Sequence, residues 1–259
     1  MNNKLLKTLL CASLISTCAF GQGTDGKSVR LGVKLMPNVG WFNSPDKELQ
    51  PAGALAGFGF GLVAEFKLAK NNNYAFATGL SITNQGGVLE YQSVAAEGVN
   101  PTLFFNSKAK TDIRLRYIDI PLMLKLKTNE IGYMTYFFNV GVTGGINVRA
   151  TQNLTLTYNN LNVEKSQIVE KQDINEQVVV GRVLFVAGAG AEYNIGGNTS
   201  IFGSINWNNG LTNTFGKKAT FYKYDAQGNP EIDPNGVPVV NGKFKAITNF
   251  LSLDIGVYF

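Results

Sequence analysis

The most constraining feature of this sequence is a period of two. From Val29 the odd positions read Val29, Leu31, Val33, Leu35, Pro37, Val39 and Trp41, and the even ones read Arg30, Gly32, Lys34, Met36, Asn38 and Gly40. The same alternation returns in inverted parity at Phe58, Phe60, Leu62, Ala64, Phe66 and Leu68, and again at Tyr74, Phe76, Thr78, Leu80 and Ile82. Further runs are Ile118–Leu126, Met134–Val148, Val183–Ile195, Ile201–Trp207 and Ile247–Phe259. Successive side chains of a strand point to opposite faces, so each run predicts a strand with one apolar face. In the Ile118 run, the upstream residues Ile113, Leu115 and Tyr117 fall on the opposite parity. That slip predicts either a bulge or a strand top that has left the apolar zone.

About eight strands result, most of them long enough to cross a bilayer at a tilt, which takes roughly 9–11 residues. Their connections alternate in length. Residues 69–73, 127–132 and 196–199 make short links, whereas 42–53, 84–111, 150–177 and 212–245 make long ones. An up-and-down barrel collects alternate connections at the same end. One rim therefore has tight turns and the other has long loops, the asymmetry of outer-membrane barrels with their loops outside the cell.

The second face separates a membrane barrel from a soluble one. A lipocalin-like barrel turns its polar face to water and lines a cavity with its apolar face. Here the second face is rich in Gly, Ala, Ser, Thr and Asn. Its sparse charges carry both signs: Arg30, Lys34, Glu65, Lys67, Asp119, Lys125, Glu192 and Asp254. Small residues and balanced charges suit the crowded lumen of a narrow barrel, where buried charges must pair. The apolar face carries aromatics toward both strand ends. Phe66, Tyr74, Tyr193 and Phe259 lie near the turn rim, and Trp41, Phe58, Phe185 and Trp207 toward the loops, as girdles at the two membrane interfaces. The expected fold is an all-β, closed, antiparallel up-and-down transmembrane barrel of about eight strands, located in the cell outer membrane and in contact with its lipid.

The N-terminus agrees. Lys4 and Lys7 precede a short apolar run from Leu5 to Ile15, and Ala19-Phe20-Gly21 supplies small residues for cleavage before Gln22. Residues 1–21 are expected to be a signal peptide, 22–27 a short lead-in and 28–259 the barrel. Thr17 ahead of Cys18 argues against a lipoprotein. Both cysteines, Cys11 and Cys18, lie in that leader, so no disulfide is expected in the mature chain. The net charge of +5 is mild, falls further when Lys4 and Lys7 are removed, and is scattered. No nucleic-acid partner is expected.

Particular residues resemble a known family. They are Tyr117-Ile118-Asp119-Ile120-Pro121-Leu122-Met123-Leu124-Lys125, Gly188-Ala189-Gly190-Ala191-Glu192-Tyr193, Asn209-Gly210-Leu211-Thr212-Asn213, the leader ending before Gln22 and the terminal Phe259. Over nearly the whole mature chain they look like the PorT-like outer-membrane β-barrel family of the Bacteroidota. The resemblance implies an eight-stranded barrel inserted by the outer-membrane assembly machinery, which reads a C-terminal strand ending in an aromatic residue such as Phe259. PorT itself is associated with protein secretion, a role not carried over to this chain.

Chemistry is sparse. The chain has no histidine, which removes Ser-His and Cys-His nucleophiles and, with no mature cysteine, the usual zinc ligands. Asp119, Glu192 and Asp254 share the lumen face and could converge. Ion pairs with Lys34 and Lys125 are the expected use, rather than acid–base catalysis. The Gly57-Phe58-Gly59-Phe60-Gly61 and Gly188-Ala189-Gly190 runs open no helix and serve barrel curvature and close approach rather than a nucleotide. Residues 225–230 and 233–238 resemble calcium loops but lack the closing Glu, so they are expected to be turns. No catalytic, cofactor-binding or metal-ligating residue is assigned. The expected function is that of a non-enzymatic outer-membrane barrel, for surface display or as an accessory to an envelope complex contacted through the long loops. A small transport channel and a lipid- or small-ligand-binding barrel are the alternatives. The loops are expected to form strand extensions that meet a partner, or else to cap the barrel mouth. Leu103, Phe104, Phe105, Leu154, Leu156, Tyr158, Phe221, Tyr222 and Tyr224 supply their apolar groups.

Overall fold

A computed structural model of the chain describes residues 29–68, 73–96, 104–160, 163–197, 199–222, 224–225, 230–234 and 238–259. The expected signal peptide (1–21) and lead-in (22–27), and most of the expected 69–73 turn, lie outside the described residues. The strands are β1 (Val29–Asn43), β2 (Leu49–Lys67), β3 (Tyr74–Ala96), β4 (Phe104–Lys127), β5 (Met134–Asn160), β6 (Val163–Asp173), β7 (Gly181–Gly196), β8 (Thr199–Gly210), β9 (Thr220–Tyr222), β10 (Val240–Lys243) and β11 (Ile247–Tyr258). Antiparallel pairing runs β1-β2-β3-β4-β5-β7-β8-β11 and returns to β1, so eight strands close a ring. The amide of Phe259 donates to the carbonyl of Leu31 at 2.8 Å beside the β1–β11 seam. A closed ring leaves no unpaired edge, the condition for strands to cross lipid. β6 pairs only with the far part of β5, and β9 and β10 form a separate hairpin.

The alternation sorts as expected. Leu31, Val33, Leu35, Phe60, Leu62, Leu80, Ile120, Leu122, Ile205, Leu253 and Ile255 all point outward and are exposed. On a protein in water such a continuous belt would be a severe liability; facing acyl chains it is the stable arrangement. Tyr74, Tyr193 and Phe259 ring the belt at the turn end, and the Tyr133 and Tyr193 rings lie 6.2 Å apart. At the other end Phe185 meets Trp207 edge-on at 6.4 Å.

Two expectations are refined. On β4 the parity does not change: Ile113, Leu115, Tyr117 and Asp119 all point inward. The apolar residues move inside because the strand has left the membrane. The bulge is on the neighbour, β5, where Arg116 pairs with Arg149 but Tyr117 pairs with Asn147, leaving Val148 extra. Two of the long connections, 84–111 and 150–177, are also largely strand. β3, β4 and β5 extend far past the belt, and only 43–49 links β1 to β2.

Inside, the barrel is filled. Toward the turn end Val63, Phe137, Phe202 and Tyr258 pack together, and farther up Ala77, Met123, Leu184, Val186 and Phe250 do so. Above the belt a larger apolar core joins Phe42, Leu89, Ile113, Leu115 and Tyr117 to Phe215, Ala219, Phe244 and Ala246 of the last long connection. Glycines make room in the lumen wall. A Cβ at Gly188 would collide with the Asn206 side chain, and one at Gly61 with Ser81.

Candidate functional site

The lumen holds its charges in three separate groups. In the turn-end half, Glu65 from β2 and Glu192 from β7 face each other across Lys125 of β4. Lys125 Nζ donates to Glu65 Oε2 at 2.8 Å and also to Glu192. Lys127 reaches Glu65 at 2.5 Å, and Arg30 bonds Glu192 at 2.9 Å and lies 3.4 Å from Glu65. Lys125 also sits 4.0 Å from the Phe137 ring centroid, and Arg30 lies 4.4 Å over Tyr258, so aromatic faces complete the cage. Higher up, Lys34 pairs with Asp254 at 2.7 Å, and Ser252 donates to the same carboxylate at 2.8 Å. At the top, Arg182 grips Asp119 through Nη2 at 2.7 Å and Nε at 3.2 Å, with its guanidinium 3.7 Å over the Tyr117 ring.

Asp119, Glu192 and Asp254 therefore share a face but do not meet. Each carboxylate is neutralised by a different cation, which is the ion-pair plug rather than a carboxylate pair poised for proton transfer. Two members were missing from the expected set. Lys127 falls two residues after Lys125 on the same lumen parity, and Arg182 heads the lumen face of β7, so parity alone would have found both. Lys67 lies half-buried on the lumen side but joins none of these ion pairs. The cavity left among the three groups is only about 90 Å³.

Above the membrane the last long connection folds inward. Asn213 fastens it: its amide donates to the carbonyls of Phe215 (2.8 Å) and Phe244 (3.1 Å), and its oxygen accepts from the Ala246 amide (2.8 Å). This is a physical reason for Asn213 in the strand-end motif. Phe42, Phe215, Phe244 and Tyr91 then stack in sequence at 5.8, 5.6 and 4.9 Å between centroids. The loops thus show the strand extensions of one expectation and the capping of the other. β3 to β6 form strand extensions, and the last connection caps the mouth. Most of the two calcium-like stretches, 225–230 and 233–238, lies outside the described residues; the bridges Tyr224–Pro230 and Ile232–Pro238 join residues at their edges.

A cavity of about 420 Å³ opens in this crown between Tyr91, Tyr222 and Tyr224, with Lys47, Glu48, Glu90 and Lys108 at its walls. Burial pushes the Tyr91 and Tyr224 hydroxyls up to about 12, with Tyr222 adding to both shifts. The Tyr224 hydroxyl is buried and has no hydrogen-bond partner among the described residues.

A family model described as an outer membrane protein beta-barrel domain matches residues 20–216. Among curated proteins none matches the sequence. Among solved structures, Neisserial surface protein A is 12% identical, with 88% of this chain and 97% of that chain covered and a TM-score of 0.37. A major outer membrane protein from Thermus thermophilus is 13% identical, covering 90% of this chain and 100% of its own, at a TM-score of 0.38. The outer membrane protease OmpT from Escherichia coli is 11% identical, at 89% and 96% coverage and a TM-score of 0.35.

Proposed function

We propose that this chain, which belongs to the outer membrane protein beta-barrel domain family, is a non-enzymatic barrel that acts through its long-loop crown, either displayed at the cell surface or as an accessory to a larger envelope assembly. Its place is the cell outer membrane. The observation that carries the reading is a lumen filled twice over, by paired charges within the membrane and by an apolar core above it. A narrow barrel of this strand number is packed by its own side chains, which weighs against a transport channel. A lumen cavity of about 90 Å³ is well below the roughly 300–1,000 Å³ of ordinary ligand sites, which weighs against a lipid held inside. What remains for function is the crown, whose connections are far longer than strand closure needs.

The PorT-like resemblance supports the finer assignment to small Bacteroidota envelope barrels. Under it, Phe259 is the residue read by the outer-membrane assembly machinery, and the partner is a protein of the envelope. The tyrosine-walled cavity favours a second reading, a barrel that binds a small ligand in its crown rather than in its lumen.

Shortening 84–111, 150–177 and 212–245 to tight turns tests the leading reading. The shortened barrels should still insert and show a heat-dependent gel shift, yet lose a co-purifying envelope protein. A shortened barrel that keeps that partner and the cellular phenotype of the intact gene would overturn it.

A further inference from the structure

The apolar belt stops at a cluster of arginines. Along β4 the outward residues read Leu124, Leu122, Ile120 and Ile118, and then Arg116 and Arg114. Along β5 they read Val142, Ile146 and Val148, and then, past the bulge, Arg149. The register sets Arg116 directly opposite Arg149, with Arg114 and Thr151 the next pair on that face. Two like charges directly opposite on one sheet face destabilise it. Arg116 donates Nε to Asn84 Oδ1 at 2.7 Å. No carboxylate among the described residues lies within ion-pair distance of any of the three arginines. They line one open hollow of about 650 Å³ on the barrel's outer wall, together with Lys171, Asp112 and the apolar edge at Phe58. Four cations thus meet a single acid.

Lys171 is held there by an uncommon backbone. It is the one non-glycine with positive φ, 52°, among the described residues, and its amide donates to Asn153 Oδ1 at 2.8 Å. A lysine in the left-handed region carries a cost that local contacts must offset.

We propose that this hollow binds the anionic phosphomonoester headgroup of a membrane glycolipid, which a zwitterionic phosphodiester headgroup does not replace. Guanidinium groups recognise phosphate through paired N–H···O bonds, and an anion between Arg116 and Arg149 turns their repulsion into attraction. The position selects a lipid over a soluble anion. The hollow begins one outward residue above Ile118, where the acyl region ends, and Phe58 continues the belt along its side. Chains and headgroup of one lipid can therefore contact the wall together. By the loop asymmetry this is the outward-facing leaflet.

The test refolds the full chain into phosphatidylcholine vesicles and into vesicles that also contain a diphosphorylated glycolipid or its dephosphorylated form. The readouts are the midpoint of the heat-dependent gel shift and the lipid retained through purification, measured by mass spectrometry. The diphosphorylated glycolipid should raise the midpoint and stay bound, and the dephosphorylated form should do neither. In the variant Arg116→Gln/Arg149→Gln, retention should fall about tenfold or more. Its midpoint in pure phosphatidylcholine should equal or exceed the parent's, because the unbridged repulsion is gone. If that variant fails to insert, Arg114→Gln and the comparison of lipids on the parent chain decide the matter. Equal midpoints with the diphosphorylated glycolipid and with its dephosphorylated form overturn the proposal. So does inorganic phosphate alone matching the glycolipid's effect, or an acidic peptide displacing the glycolipid, which would make the face a protein site.

Discussion

Replacing Glu65 by Gln removes one negative charge from the lumen and almost no volume. Glu65 is fully buried, and it accepts from Lys125 at 2.8 Å and from Lys127 at 2.5 Å, with Arg30 at 3.4 Å. In the parent, three cations share two carboxylates. In Glu65→Gln they share only Glu192. Two charge-assisted bonds are lost, each worth about 1.5–3 kcal/mol, and buried positive charge is left uncompensated. Breaking a buried pair by removing one partner costs about 3–5 kcal/mol, and the two routes to the magnitude agree. The assay is urea unfolding of the refolded barrel in vesicles, followed by the gel shift of unboiled samples. The double variant Glu65→Gln/Lys127→Gln restores the original excess of one cation and should recover a large part of the loss. Because the cluster is buried, the loss should persist at high salt, where exposed pairs are screened. A cost below about 1 kcal/mol, or a double variant less stable than the single one, would refute the claim that charge balance holds this part of the lumen together.

Leu253 points to lipid in β11, and Leu253→Arg should cost about 2–4 kcal/mol if it lies near the midplane, read by the same urea titration; an unchanged midpoint would contradict the assigned face. Deleting Phe259, or replacing it with Asp, should reduce folded barrel in the outer membrane and increase degradation in pulse-chase experiments, whereas normal levels would remove the C-terminal aromatic as an insertion signal. Tyr91 lies in the crown and ionises near 12 instead of 10.0, so the folded crown holds its proton more tightly than the unfolded chain. That contribution is complete below pH 10 and is lost as pH rises toward 12. Ultraviolet titration should show phenolate forming late in the parent, and the late step should shrink by one phenolate in Tyr91→Phe, with Tyr224 still titrating late.

The membrane part of this fold could be read from side-chain parity because a lipid-spanning strand has one chemistry on each face throughout its length. Leu31, Leu62, Leu122 and Leu253 were placed by that rule alone, and so were Glu65, Lys125 and Glu192. Parity fails where the solvent changes. Above the belt the outside is water, so Arg114 and Arg116 face out while Leu115 and Tyr117 turn in. The same strand then reads as if its phase had slipped. Which carboxylate meets which cation was not readable either. Pairing depends on the stagger between strands distant in sequence, and that stagger separates Asp119 from Asp254 and brings Glu65 to Glu192. The inward fold of 212–245 rests on Asn213 bonding residues up to Ala246, a contact with no local signature. Extension strands past the belt look like loops in sequence because a mixed polar surface above the bilayer leaves little alternation.

Under the proposed function the barrel is sealed and works from its surface. Single-channel recording of the intact protein in planar bilayers tests it most directly. No steady conductance above that of the bare bilayer is expected, because ion pairs fill the lumen and the crown core closes its mouth. Reproducible open channels from correctly folded protein would contradict it and make transport the function to pursue.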